Sequence, residues 1–114
     1  MNFWKKSTVW LEGLWYALRS EQSIALQICV IVVSLVGIEL FISEWWLIKQ
    51  TLLLGGGVLA LEVVNTALEE LCDLVEPNQN IVIKRVKDLA SGAVGVFASV
   101  SILVTILDVW RVLS

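Results

Sequence analysis

Three stretches of this chain carry no charged residue: residues 22–38, residues 51–61, extended backward by the apolar run 45–48, and residues 89–107. So much uninterrupted apolar sequence leaves few folded states open. A helix crosses a bilayer with about 20 largely apolar residues, and it satisfies its own backbone groups where lipid offers no partners. A closed barrel is the other spanning solution, but the repeated alternating segments it needs are missing. The expectation is an all-α membrane protein with three transmembrane helices, over residues 21–42, 45–75 and 89–110, in a single domain 1–114.

The composition supports this and removes several functions. Of 114 residues, 58% are hydrophobic and 17% charged, with a mean hydropathy of +0.84. That is too little charge to wet the surface of a small soluble domain. A net charge of −3 without a basic run argues against a nucleic-acid partner. The chain has no histidine, which excludes imidazole metal sites and Ser/His/Asp triads. Cys29 and Cys72 lie in separate segments without paired spacing, so two buried free thiols are expected. No apolar signal core follows Lys5 and Lys6, so the hydrophobic segments are read as permanent.

Residues 3–20 follow a different pattern. Phe3, Trp4, Trp10, Leu11, Leu14, Trp15 and Leu18 fall on one side of a helix, and Lys5, Lys6, Glu12, Arg19 and Ser20 on the other. The Trp-rich face suits a helix lying flat at the headgroups, with docking on a protein partner as the alternative. Lys5, Lys6 and Arg19 precede the first span and Lys84, Arg85 and Lys87 precede the third, whereas the opposite side has only Lys49 and Arg111. That bias puts the N-terminus and the connection over 76–88 in the cytoplasm.

The second span carries the chemical signal. Glu62, Asn65, Glu69, Asp73 and Glu76 recur at helical spacing and share an arc of roughly 80° at about 100° per residue. Counted from the apolar start of the span, the cytoplasmic boundary falls near Asn65. The wet face of an emerging helix accounts for Glu70, Asp73 and Glu76. It does not account for Glu62 and Asn65, at a depth where an ionisable group costs a few kcal/mol unless it faces protein or water. Glu21, at the junction of the surface helix and the first span, reads either as a helix-terminal acid beside a Ser20 cap or as a ligand. Paired with Glu69 it could hold Mg²⁺, which takes one or two carboxylates and completes its shell with water and phosphates.

The residues around the third span are less specific. Pro77 and its neighbouring Asn residues mark a turn, and the positive-inside rule alone would explain Lys84, Arg85 and Lys87. Asp88 beside Lys87 has no such topological use. Ala90, Ser91, Gly92, Ala93, Gly95, Ala98 and Ser99, together with Gly55, Gly56 and Gly57, provide small surfaces for close helix packing. The glycine triplet lacks the strand and following Lys of a phosphate loop.

The runs Leu61-Glu62-Val63-Val64-Asn65-Thr66-Ala67-Leu68-Glu69 and Lys87-Asp88-Leu89-Ala90-Ser91-Gly92, with Asp73, Gly13 and Glu21 at matching distances, resemble the signature of the prokaryotic diacylglycerol kinase family, which includes undecaprenol kinases. The resemblance covers almost the whole chain. It implies a surface helix and three spans per subunit, a homotrimer in the bacterial inner membrane, and transfer of phosphate from ATP, with Mg²⁺, to the hydroxyl of a membrane lipid alcohol. By position it implies that Glu62 activates that hydroxyl and Asn65 helps form the pocket. Glu21 and Glu69 would bind the metal, while Asp73, Glu76, Lys87 and Asp88 surround the nucleotide. Gln27 stands where diacylglycerol kinases of the Gram-negative type tend to have an acid, and Asn2 replaces an arginine, for which Lys5 or Lys6 would substitute. The stretches around Gly13, Arg19 and Ser91 are similar to the undecaprenol kinase branch. From the residues alone, a non-catalytic protein binding divalent cations through the acidic stripe stays open.

Overall fold

The computed structural model describes residues 3–114; Asn2 and the side chains of Phe3 and Ser7 lie outside the described part. Four helices follow one another: α1 Phe3–Ser20, α2 Gln22–Phe41, α3 Trp45–Val75 and α4 Ile81–Leu113. All but α1 are long and apolar enough to cross a membrane.

α3 is the centre of the bundle. α2 and α4 each pack on it without packing on each other, and α1 folds back against the α2 and α3 ends. The glycine triplet sets the close approach. A Cβ at Gly55 would sit 2.8 Å from Ile31 Cγ1 of α2, and one at Gly57 would sit 2.8 Å from Phe97 Cζ of α4. Gly92 and Gly95 on α4 face open space, so that part of the small-residue surface is not used within the chain. Large apolar side chains such as Leu40, Leu53 and Val96 point outward, where lipid rather than water is their solvent. Cys72 is buried, but Cys29 is exposed on α2, contrary to expectation, because it faces away from α3; both thiols are free.

Two boundaries differ from the sequence reading. The connection expected over 76–88 closes at Asn80, whose Oδ1 accepts from the backbone N–H of Val82 at 2.9 Å and of Ile83 at 3.3 Å. This capping starts α4 at Ile81, so Lys84, Lys87 and Asp88 stand on a helix. At 1.5 Å per residue α3 and α4 are each over about 45 Å long, against a hydrocarbon core of about 30 Å. Their adjoining ends therefore project beyond it. Between α1 and α2, Ser20 does not cap: its hydroxyl donates back to the Ala17 carbonyl. Glu21 takes the capping position with no side-chain hydrogen bond to the helix.

At the opposite end, Gln50 Nε2 donates to Asp108 Oδ2, tying α3 to α4. The turn from α2 into α3 passes through Ser43 at φ 58°. Its N–H, like that of Ile42, bonds to the Ile38 carbonyl and ends α2.

Candidate functional site

The acidic stripe lies on α3, and the other three helices meet it at one end of the bundle. Glu62 is the deepest member. Ser23 and Gln27, one turn apart on α2, face it together: Ser23 Oγ donates to Glu62 Oε1 at 3.3 Å, and Gln27 Nε2 donates to Oε2 at 3.4 Å. A carboxylate in apolar sequence is thus solvated by a hydroxyl and an amide from the neighbouring helix.

One turn along α3, Asn65 is 6% exposed, and its Nδ2 donates to Glu69 Oε1 at 3.1 Å. The amide's other end, Oδ1, is buried without a partner. A buried acceptor left without a partner costs about 1–3 kcal/mol, a cost that a donor or a hard cation reaching this oxygen would relieve. Among the described residues no three acidic or thiol side chains converge on one point. Mg²⁺, which takes few carboxylates and fills its shell with phosphates and water, suits such a sparse oxygen set better than a cation needing an all-protein cage.

Farther along, a cleft of about 670 Å³ opens between the end of α3 and the start of α4. Asp73, Glu76, Lys84 and Lys87 line it, with Asn78 and Asn80 from the connection. Lys87 Nζ pairs with Asp73 Oδ1 at 2.5 Å, and Lys84 Nζ pairs with Asp88 Oδ2 at 2.7 Å. Glu76 Oε1 accepts from the Asn78 backbone N–H at 3.2 Å. These groups are partly or largely open to solvent, so the pairs add little to stability. Their cations can leave those partners for a phosphate at little cost.

α1 reaches the same end through Tyr16, whose hydroxyl donates to Glu70 Oε1 at 2.7 Å. This bond raises the Tyr16 pKa above its ordinary value, with the charge of Glu70 adding to the effect. Arg19 lies 5.5 Å from the ring centre of Trp15, a cation–π distance.

The structure therefore gathers most of the expected residues. Glu62, Asn65 and Glu69 form one polar row, while Asp73, Glu76 and Lys87 share the cleft. Asp88 reaches the cleft's edge only through Lys84. Ser91 is exposed farther along α4, Lys6 is exposed on α1, and Lys5 lines a separate shallow hollow with Trp4 and Val9. Sequence reasoning missed Ser23 and Gln27 as partners of Glu62. Their spacing of four in an otherwise apolar segment was the available signal. It also left Lys84 to topology, because a cytoplasmic cation needs no further reason to be there.

A three-span bundle with Glu62, Asn65, Glu69, Asp73, Glu76 and two paired lysines gathered at one end defines a small integral membrane protein built to work at an interface. The profile of the prokaryotic diacylglycerol kinase family matches residues 9–108. The undecaprenol kinase of Bacillus subtilis (strain 168) is 37% identical over 98 residues, covering 83% of this chain and 77% of that protein. No solved structure matches the chain. The chain belongs to the prokaryotic diacylglycerol kinase family and is a lipid kinase, which sets aside the reading of a non-catalytic cation-binding protein.

Proposed function

We propose that this kinase transfers the terminal phosphoryl group of ATP to the hydroxyl of a polyprenol, undecaprenol in particular, with diacylglycerol the second candidate. The carrying observation is the position of Glu62, within apolar helix and held by Ser23 and Gln27. The relative named undecaprenol kinase supports the choice of lipid. The reaction belongs at the cytoplasmic face of the bacterial inner membrane, where a lipid hydroxyl and a soluble nucleotide can meet; the cation bias puts the N-terminus on that side.

In this reading Glu62 accepts the proton of the lipid hydroxyl as its oxygen attacks. A new O–P bond forms, the bond to the departing ADP oxygen breaks, and no covalent enzyme intermediate is needed. Asn65 holds Glu69 in place and presents its open Oδ1 to the transfer site. Lys87 exchanges Asp73 for phosphate oxygens, and Asp73, Glu76 and Asp88 frame the nucleotide. Lys5, Lys6 and Ser91 remain possible peripheral contacts. Glu21 and Glu69 are the residues that would hold Mg²⁺, which when bound neutralises phosphate charge. A homotrimer fits a chain whose own cleft is open-sided and whose Gly92 and Gly95 surface is free for close packing.

The test is purified protein in lipid with Mg²⁺ and ATP, offered undecaprenol or diacylglycerol side by side. Phosphorylated polyprenol should form faster, and Glu21→Ala and Glu69→Ala should each raise the Mg²⁺ requirement or abolish transfer. Faster product formation from diacylglycerol would reassign the acceptor, and unchanged Mg²⁺ dependence in both variants would remove those ligands.

A further inference from the structure

One hydrogen bond beside the site has no part in the phosphoryl transfer itself. Tyr16 of α1 donates to Glu70 of α3 at 2.7 Å, joining residues 54 apart in sequence. Both side chains are exposed, so the bond adds little to stability. What it holds in place matters more.

α1 and α2 meet at a single residue, Glu21, whose extended backbone (φ −124°, ψ 112°) turns the chain from one helix into the other. The N–H of Glu21 still bonds to the Ala17 carbonyl at 3.0 Å, so its backbone moves with the last turn of α1, the turn that follows Tyr16. Ala17 and Ile24, on either side of the joint, are both buried. Ser23, in the first turn of α2, donates to Glu62 of α3. The joint is thus tied to α3 on both sides, through Ser23 at Glu62 and through Tyr16 at Glu70. Those two points are about 12 Å apart along the helix, and residues 65–69 lie between them. Glu70 dominates the rise in the Tyr16 pKa and Glu21 adds to it, so the Glu21 carboxylate is within electrostatic reach of that hydroxyl.

We propose that Tyr16 is a positioning residue for metal binding: its bond to Glu70 holds α1 down on α3 and so keeps Glu21 opposite the stretch of α3 that carries Glu69. A cation shared by carboxylates from two helices needs both in place at once. Without the bond, the angle at a one-residue joint is less tightly set, and a smaller fraction of molecules is competent to bind. The proposal rests on the assignment of Glu21 and Glu69 as the Mg²⁺ carboxylates and adds the residue that aligns them.

The experiment uses two readouts on the full chain in micelles, with helical circular dichroism checked on each sample. One is lipid phosphorylation at varied Mg²⁺ with ATP and lipid saturating. The other is binding of Mn²⁺ in the presence of a non-hydrolysable ATP analogue, followed by loss of the free Mn²⁺ EPR signal. Tyr16→Phe, which keeps the ring and removes the donor, should raise the Mg²⁺ needed for half-maximal rate and the Mn²⁺ Kd together by about three- to tenfold. Its kcat should recover at saturating Mg²⁺, and its KM for the lipid should not change. Glu70→Gln, whose amide oxygen still accepts from the phenol, should stay close to the parent. Glu70→Leu should match Tyr16→Phe, and the two combined should be no worse than either alone. Parent-like Mg²⁺ and Mn²⁺ values in Tyr16→Phe overturn the proposal, as do additive losses in the double variant or a fall in kcat that excess Mg²⁺ does not restore. Glu21→Ala separates the two levels of the argument. If it leaves Mn²⁺ binding unaltered, the metal assignment fails and the proposal with it, whereas a loss in Glu21→Ala with none in Tyr16→Phe defeats the role of Tyr16 alone.

Discussion

At the scale of single residues, the site is a set of shared hydrogen bonds. Glu62 would cost a few kcal/mol in apolar surroundings, and Ser23 and Gln27 offset that cost from one face of α2. Tyr16 offers a further test. Its bond to Glu70 raises its pKa, so the neutral phenol is favoured in the folded chain. The contact's contribution is therefore complete below the ordinary tyrosine pKa of about 10 and is lost as pH rises through the higher folded value. Fluorescence of Trp15, one residue away, should change in that alkaline range in the parent protein. Tyr16→Phe should lack this transition, and persistence of the change in Tyr16→Phe would assign it elsewhere. Glu62 and Asn65 stood out in the sequence because ionisable and amide groups are expensive at that depth. Ser23 did not, and Gln27 was noticed only through the family resemblance, since uncharged polar residues in a span raise no comparable alarm until a partner is seen.

At the scale of helices, the number and order of the spans were legible from the uncharged stretches, because length and hydropathy decide whether a helix can cross a bilayer. The start of α4 was not. Asn80 reads as a turn residue in sequence, and only its bonds to Val82 and Ile83 show it to be a cap. That shift puts Lys84 and Lys87 on one rigid helix facing the end of α3, which a flexible loop would not do. Helix packing makes its own prediction. Gly55 has Ile31 Cγ1 at 2.8 Å from an ideal Cβ, whereas Gly56 has nothing within 4 Å. Gly55→Leu should destabilise the bundle by about 1–3 kcal/mol through overpacking, with Gly56→Leu much milder. Unfolding in mixed detergent, followed by helical circular dichroism, measures the difference. Equal losses would mean that α2 and α3 are not held together at Gly55.

At the scale of the whole molecule, a central helix with two unconnected flanks leaves a groove in the apolar half and a charged cleft at one end, with Glu62 between them. The two substrates of a lipid kinase differ in the same way, one an apolar chain with a hydroxyl at its end and the other a polyanion in water. The histidine-free composition restricts catalysis to carboxylates, amides and lysines, which are sufficient when phosphoryl transfer depends on positioning and charge neutralisation. The most direct test is the rate of phosphate transfer from ATP to undecaprenol by Glu62→Gln, measured in bilayers with helical content checked on the same sample. The expected result is a fall of about 10²- to 10⁴-fold in kcat with the fold retained, and transfer at the parent rate by the folded variant would contradict the assignment of Glu62 as the group that takes the hydroxyl proton.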